Sequence, residues 1–459
     1  MPFTTIDSTR VAELTERETQ RLDAATPKSG QMYERAARHL AGGVASSYQL
    51  RDPWPIYIAR GEGCKVWDVD GNERFDFHNG FGSMIQGHAN PAIAAAVAKR
   101  YTLGSHFGSA VEEFIPVAEE LARRFGLPKW RFVNSGSEAT MDAIRIARGY
   151  TKRDTVIKIF GSYHGHHDTV MVSIGVPYED ALVDRNNLPS LPYGAGIPAS
   201  TVVMTVPVPF NDAEAMEARI KTLISQDRLP ACIIMEAAMM NLGIVLPEPG
   251  YLQAVRDIAT KYGIVLIFDE VKTGLAVAAG GATELFGVKP DMVTMAKSLG
   301  GGVPSGAIGA TEEVMSVVEN HEVYQVGTYS GNPLAMASAL ASLTEVMTPQ
   351  AYEWLNHLSD RIVDGCNEVI KKYNLPGYAV GTAAKGCVTF SPVKITDYES
   401  YIANQNVEVT ELAYAWNMNR GIYMTPGREE EWTLSVAHTD EAMDTYIAAF
   451  DEMAYELTK

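Results

Sequence analysis

Five short stretches of the chain set chemically capable residues at the ends of apolar runs or just before a helical stretch. Asn134-Ser135-Gly136-Ser137-Glu138-Ala139-Thr140 follows the run Trp130-Arg131-Phe132-Val133 and opens an amphipathic stretch carrying Met141, Ile144 and Ala147. A helix starting there offers free N–H groups and the positive end of its dipole to a phosphate, with Ser135 and Ser137 adding hydroxyls. The same residues also read as an ordinary serine cap. Ile264-Val265-Leu266-Ile267-Phe268-Asp269-Glu270 has the pattern of a buried strand ending in two carboxylates. An acid at such an edge can pair with a protonated heteroaromatic nitrogen, ligate a metal or face solvent. Lys297 closes Asp291-Met292-Val293-Thr294-Met295-Ala296-Lys297 and precedes Ser298-Leu299-Gly300-Gly301-Gly302. A desolvated lysine facing glycines can lose its proton and attack a carbonyl, although most lysines are surface charges. Lys297 lies 28 positions after Asp269 (297 minus 269), room for one helix and one further strand.

Phe160-Gly161-Ser162-Tyr163-His164-Gly165-His166-His167 follows a fourth apolar run and offers an aromatic face for stacking on a planar group. Its three histidines lack the HExxH spacing or acidic partner of a metal site, and no metal is expected. Gly327-Thr328-Tyr329-Ser330-Gly331-Asn332-Pro333 is a polar glycine loop before a helical stretch, a second place where donors meet phosphate or a plain helix start. The GxGxxA match at Gly194–Ala199 contains Pro198 and follows no strand, so a dinucleotide fingerprint is not expected.

The elements that must position these residues are legible in outline. Of 459 residues, 46% are hydrophobic and 20% charged, enough apolar material for a large core. From Thr9 to Leu40 the apolar residues fall at helical spacing, and residues 55–77 read as short antiparallel strands with Asp70-Gly71 at a turn. Between Gly87 and Ser338, apolar runs alternate with amphipathic helices, which is what an α/β domain with a parallel sheet covered on both faces requires. In such sheets ligands sit beyond the carboxyl ends of the strands, where the motifs above fall. Strand and helix candidates after Ser338 form a smaller α+β unit. The expected division is residues 1–75 as an N-terminal arm and small-domain segment, 76–337 as the large domain and 338–459 as the rest of the small domain. The net charge of −18 disfavours nucleic acid and anionic membranes, leaving a small-molecule substrate. Cys64, Cys232, Cys366 and Cys387 form no CxxC pair, and no leader or membrane-spanning run appears, so a cytoplasmic location is expected.

Taken together, a phosphate-type helix start, Tyr163-His164-Gly165, a strand-end Asp269 and Lys297 before three glycines resemble the class III aminotransferases of pyridoxal fold type I. The branch most similar in pattern is that of glutamate-1-semialdehyde 2,1-aminomutase. Matching stretches run from Gly42-Gly43-Val44 through Trp67–Gly71 and Met84–His88 to Ser435–Thr439, covering nearly the whole chain. The resemblance implies pyridoxal 5'-phosphate held as a Schiff base by Lys297, which also moves protons. It implies Asp269 against the pyridine nitrogen, Tyr163 stacked on the ring and Val271 on its other face. It places Ser135, Gly136 and Ser137 at the phosphate, Asn241 near the ring hydroxyl with Glu236 behind it, and Thr328 reaching the cofactor of a neighbouring subunit in a homodimer. The implied activity is transfer of an amino group between an amine or amino acid, β-amino acids included, and a keto or aldehyde acceptor. The alternative is intramolecular transfer by an aminomutase.

Departures from the pattern concentrate on the substrate. Gln49 stands where the aminomutases carry an arginine for the substrate carboxylate, Phe81 replaces a tryptophan, Glu236-Ala237 replaces Glu-Pro, and Leu275 replaces an aromatic. Two readings stay open: Arg51 or Arg428 takes over carboxylate recognition, since a guanidinium matches a carboxylate in a fork, or both face solvent and the donor is an amine without an acid group.

Overall fold

A computed structural model describes residues 3–425 and 431–459. Its centre is a seven-stranded sheet built from β-rich runs that are buried almost throughout. In sequence order the first three strands, β1 (Ile58–Glu62), β2 (Lys65–Asp68) and β3 (Glu73–Asp76), lie outside it. The central strands are β4 (Lys129–Val133), β5 (Val156–Ile159), β6 (Thr205–Val208), β7 (Cys232–Met235), β8 (Val265–Asp269), β9 (Met292–Met295) and β10 (Gly306–Ala310), in the spatial order β4-β10-β9-β8-β7-β5-β6. Strands β6, β5, β7, β8 and β9 pair in parallel, with helices such as Tyr251–Tyr262 between them. Six of the central strands, β5 to β10, are buried along their full length, as a sheet covered on both faces demands.

Two features of this sheet differ from the expectation. Strand β10 runs antiparallel to both β9 and β4, so the sheet is mixed, although mainly parallel. Its sequence, Gly-Ala-Ile-Gly-Ala, has little β propensity. Gly309 is needed there because a Cβ would come within 2.6 Å of the Trp130 ring across the ladder. Strand β6 holds Pro207, which cannot donate to a ladder and is tolerated because β6 is an edge.

The remaining strands are β11 (Tyr378–Thr382), β12 (Lys385–Thr389), β13 (Ile422–Tyr423) and β14 (Glu431–Thr433). Strand β13 joins the N-terminal sheet by pairing in parallel with β3, so distant parts of the chain share one sheet. Strands β11, β12 and β14 form a three-stranded sheet, packed with the long helix Pro349–Tyr373. The N-terminal helices Ser8–Ala24 and Pro27–Ala36 fall where helical spacing places them. Among the described residues, no helix is long and apolar enough to cross a membrane.

Candidate active site

Asp269 is the last residue of β8, at the carboxyl edge of the parallel strands, and is buried. Its Oδ1 accepts from the Val271 N–H at 3.0 Å and from Thr294 Oγ1 at 3.1 Å, while Oδ2 lies 2.7 Å from His164 Nδ1. His164 Nε2 is in turn 2.9 Å from Ser162 Oγ. Burial lowers the His164 pKa. The imidazole donates from Nδ1 to Asp269, which fixes the direction of the acid, while the Ser162 hydroxyl beside Nε2 donates to the Ile159 carbonyl at 2.6 Å. Beneath this chain Lys158 is wholly buried and donates to the carbonyls of Ser162 and Val172, both at 2.7 Å; burial pulls its pKa down to about 7.

Lys297 follows β9 with a left-handed backbone (φ 43°), and its Nζ donates to the Phe81 carbonyl at 3.1 Å. That carbonyl belongs to a tight turn, Asn79–Gly82, in which all four residues have positive φ. The turn is anchored by Asp76, whose Oδ1 accepts from the N–H groups of His78 and Asn79, and by the Asn79 side chain, which donates to Thr433 O at 2.6 Å.

Helix Gly136–Thr151 begins at the third anchor. Ser135 caps it by accepting from the Glu138 N–H at 3.2 Å, and Glu138 reaches back to the Asn134 N–H at 2.7 Å. Ser137 Oγ accepts from His166 N–H at 3.1 Å, and its own proton is left to donate. Glycine is required at 136, because a Cβ would sit 2.9 Å from a Val271 methyl.

These groups meet in one cavity of about 580 Å³. Of the residues singled out in the sequence, Phe81, Ser135, Gly136, Ser137, Tyr163, Glu236, Asn241, Val271, Asp269 and Lys297 line it. Gln49 and Arg51 do not. Gln49 is exposed and its side chain accepts from the Ala45 N–H at 3.1 Å. Arg51 is engaged elsewhere, 2.8 Å from Asp23 on the first helix and 3.0 Å from Trp54 O, which satisfies the charge that a substrate carboxylate would have needed. Thr328 lines a separate recess with Phe114 and Gln325 rather than this cavity of its own chain. Arg428 lies outside the described residues. The three histidines diverge: His164 turns to Asp269, His167 to Thr140 at 3.2 Å, and His166 is exposed. Among the described residues, no group of three His, Cys, Asp or Glu side chains is placed to hold a metal.

Sequence reasoning missed several lining residues. Tyr48 packs on Phe81, with ring centroids 5.4 Å apart, and meets Tyr163 edge-on at 6.0 Å. Ile174, Tyr193 and Val303 extend this apolar wall, and Lys272 also lines the cavity. The signal for Lys272 was its place three residues past Asp269, beyond the same strand end.

The donor set fits pyridoxal phosphate on grounds internal to the structure. A lysine amine, a buried carboxylate and a helix start with two serine hydroxyls share one cavity, with Tyr163 among them. In addition, the Asn241 carboxamide oxygen is buried with no hydrogen-bond partner in the protein, while its nitrogen donates to Gly161 O at 2.7 Å. That leaves an acceptor waiting for a hydroxyl of a bound ligand. Residues 47–386 match the family model described as aminotransferase class III.

The chain belongs to the class III aminotransferases.

This aminotransferase is a pyridoxal phosphate enzyme of fold type I. It is 38% identical over 427 residues to a glutamate-1-semialdehyde 2,1-aminomutase of Brevibacillus brevis, covering 92% of this chain and 97% of that one. Among solved structures it is similar to an omega-transaminase from Sphaerobacter thermophilus, at 34% identity and a TM-score of 0.87, covering 94% of this chain and 98% of the other. It is also similar to a glutamate-1-semialdehyde aminomutase from Pseudomonas aeruginosa, at 27% identity and a TM-score of 0.89, covering 98% and 99% of the two chains.

Proposed function

We propose that this class III aminotransferase moves an amino group from an amine or amino acid, β-amino acids included, to a separate keto or aldehyde acceptor. The observation that carries this reading is the composition of the cavity wall. Among the described residues that line it there is no arginine, and Tyr48, Phe81, Ile174 and Tyr193 give it an apolar side suited to a donor with a sizeable hydrocarbon arm.

When bound, pyridoxal phosphate supplies an aldehyde to hold the amine and a ring to withdraw electrons from the carbon that loses its proton. In this reading Lys297 is the covalent anchor and the group that moves that proton. Asp269, aimed by His164 and Thr294, holds a proton at the ring nitrogen. Ser135, Gly136 and Ser137 would hold the phosphate, Tyr163 and Val271 would pack on the ring, and Asn241 with Glu236 behind it would meet the ring hydroxyl. Burial pushes Glu236 up to about 8, which supports its acting as a neutral hydrogen-bonding acid. Thr328 would complete the phosphate site of a second copy. Exposed Tyr324, Val326 and Tyr329 beside Thr328 support such a homodimer. Four buried free thiols suit a reducing, cytoplasmic setting.

A second reading, intramolecular transfer within glutamate 1-semialdehyde, is favoured by the names of the curated relatives, aminomutases 36–38% identical over nearly their whole length. The two are separated by incubating the holoenzyme with glutamate 1-semialdehyde alone, and then with amines or β-amino acids plus pyruvate or 2-oxoglutarate. Product formed without an added acceptor overturns the transaminase reading; strict dependence on an acceptor overturns the aminomutase one.

A further inference from the structure

Beside the cavity lies a buried set of charges that the proposed chemistry does not use. Lys272 lines the cavity wall, and its Nζ donates to the Met240 carbonyl and lies 3.0 Å from Glu431 Oε2. The other oxygen of Glu431 lies 2.5 Å from Lys385 Nζ, which also donates to Thr433 Oγ1 at 2.9 Å. Side-chain exposure falls from 17% at Lys272 to 6% at Glu431 and 1% at Lys385, so only Lys272 is open to the cavity. Lys385 is wedged beneath the Asn79–Gly82 turn, where a Cβ on Gly82 would come within 2.5 Å of its Nζ.

Two lysine side chains share one carboxylate in a place where burying a charge is costly, and burial lowers the pKa of Lys385, the more enclosed of the two. Of the two lysines, Lys272 is the one that lines the cavity. Glu236, the neighbouring acid, is pushed by burial up to about 8. Apart from Lys297, Lys272 is the one Lys or Arg among the described lining residues. A lysine ammonium at a cavity wall is stabilised by an anion arriving in the cavity.

We infer that Lys272, held against the cavity wall by Glu431 and the Met240 carbonyl, is a specificity-determining residue that takes an anionic oxygen of the bound ligand. Two sources supply such an oxygen: the carboxylate of the amino donor, or the ring oxygen of the cofactor. The inference rests on the pyridoxal site and deepens the proposed amino transfer.

Lys272→Met keeps the Glu431–Lys385 pair intact, and Lys272→Arg keeps the charge. Both holoenzymes are titrated with pH while cofactor absorbance is followed. Both are then assayed with a matched pair of donors, a β-amino acid and the amine of the same skeleton lacking the carboxylate. If the donor supplies the oxygen, Lys272→Met raises KM for the acid roughly tenfold or more, leaves the amine within about twofold, and Lys272→Arg recovers the acid. If the cofactor supplies it, Lys272→Met moves the spectral midpoint to higher pH, because a nearby positive charge has been removed. Both donors then lose rate alike, and Lys272→Arg moves the midpoint back. An unchanged midpoint together with an unchanged ratio of KM values overturns the inference. So does a loss that arginine fails to restore, which would assign Lys272 to structure alone. Should the wild-type enzyme transfer nothing from any donor, the transaminase reading fails, while the absorbance titration still reads Lys272.

Discussion

The floor of the cavity and its mouth are built in different ways. The floor is made where β8, β9 and helix Gly136–Thr151 end or begin, and each of its groups is tied to backbone or to a buried partner: Asp269 to His164, Thr294 and Val271, and Ser135 to its own helix. The mouth collects Tyr48, Phe81, Ile174, Tyr193 and Thr425 from turns and loops far apart in the chain. Strand ends hold reacting groups in fixed relation, whereas loops vary freely around them. The departures from the aminomutase pattern at Gln49 and Phe81 accordingly fall in the segments that lead to the mouth, while the floor keeps the pattern's Ser135, Asp269 and Lys297.

That contrast can be broken, or sharpened, by substitutions on either side. The largest effect is expected on the floor: Lys297→Ala should cut turnover by about a thousandfold or more, and borohydride should tether pyridoxyl to the wild-type chain but not to the variant, as read by mass spectrometry. Retained covalent capture in Lys297→Ala would put the anchor elsewhere. Asp269→Asn should follow with roughly a hundredfold loss in kcat, since a preorganised charge at the ring is removed while the cavity keeps its shape. An equal loss in KM alone would mean that Asp269 only binds. At the mouth, Tyr48→Ala should raise KM for bulky apolar amines about tenfold and leave small donors nearly unchanged, with kcat preserved.

Smaller still is the effect expected beneath the floor. Burial holds Lys158 near 7 against the ordinary lysine value of 10.5. Between those pH values the unfolded chain binds the extra proton and the folded chain does not, so Lys158 makes stability rise with pH across that window and contributes no slope below it. Lys158→Met should remove that rise in Tm, measured by melting at a series of pH values. Arg51→Ala, the smallest, should leave KM for every donor within about twofold, because its guanidinium serves Asp23.

The floor was legible in the sequence for the same reason that it is rigid. A run such as Val265–Asp269 announces both a buried strand and the place where it stops, and Lys297 and Ser135 are marked likewise. The mouth was opaque because proximity there is made by the fold. Lys272 and Glu431 are 159 positions apart (431 minus 272), and in the sequence each reads as one more surface charge. The guanidinium of Arg51 suits a carboxylate, yet helix Ser8–Ala24 brings Asp23 to it. Strand β10 escaped notice because Gly and Ala carry no strand signal, although Gly309 is glycine to admit Trp130. His164 was visible only as one of three histidines, and its contact with Asp269 spans 105 positions.

Thr294, which steadies Asp269, stands on β9 three residues before Lys297. The spacing from acid to amine is thus graduated along a single length of backbone, like marks on a ruler. A slip of β9 by one residue would turn Thr294 to the opposite face and carry the amine away in the same movement. Displacement of that strand would move the amine and take away one of the three contacts of the acid together, so its errors should surface as inert protein rather than as an altered reaction.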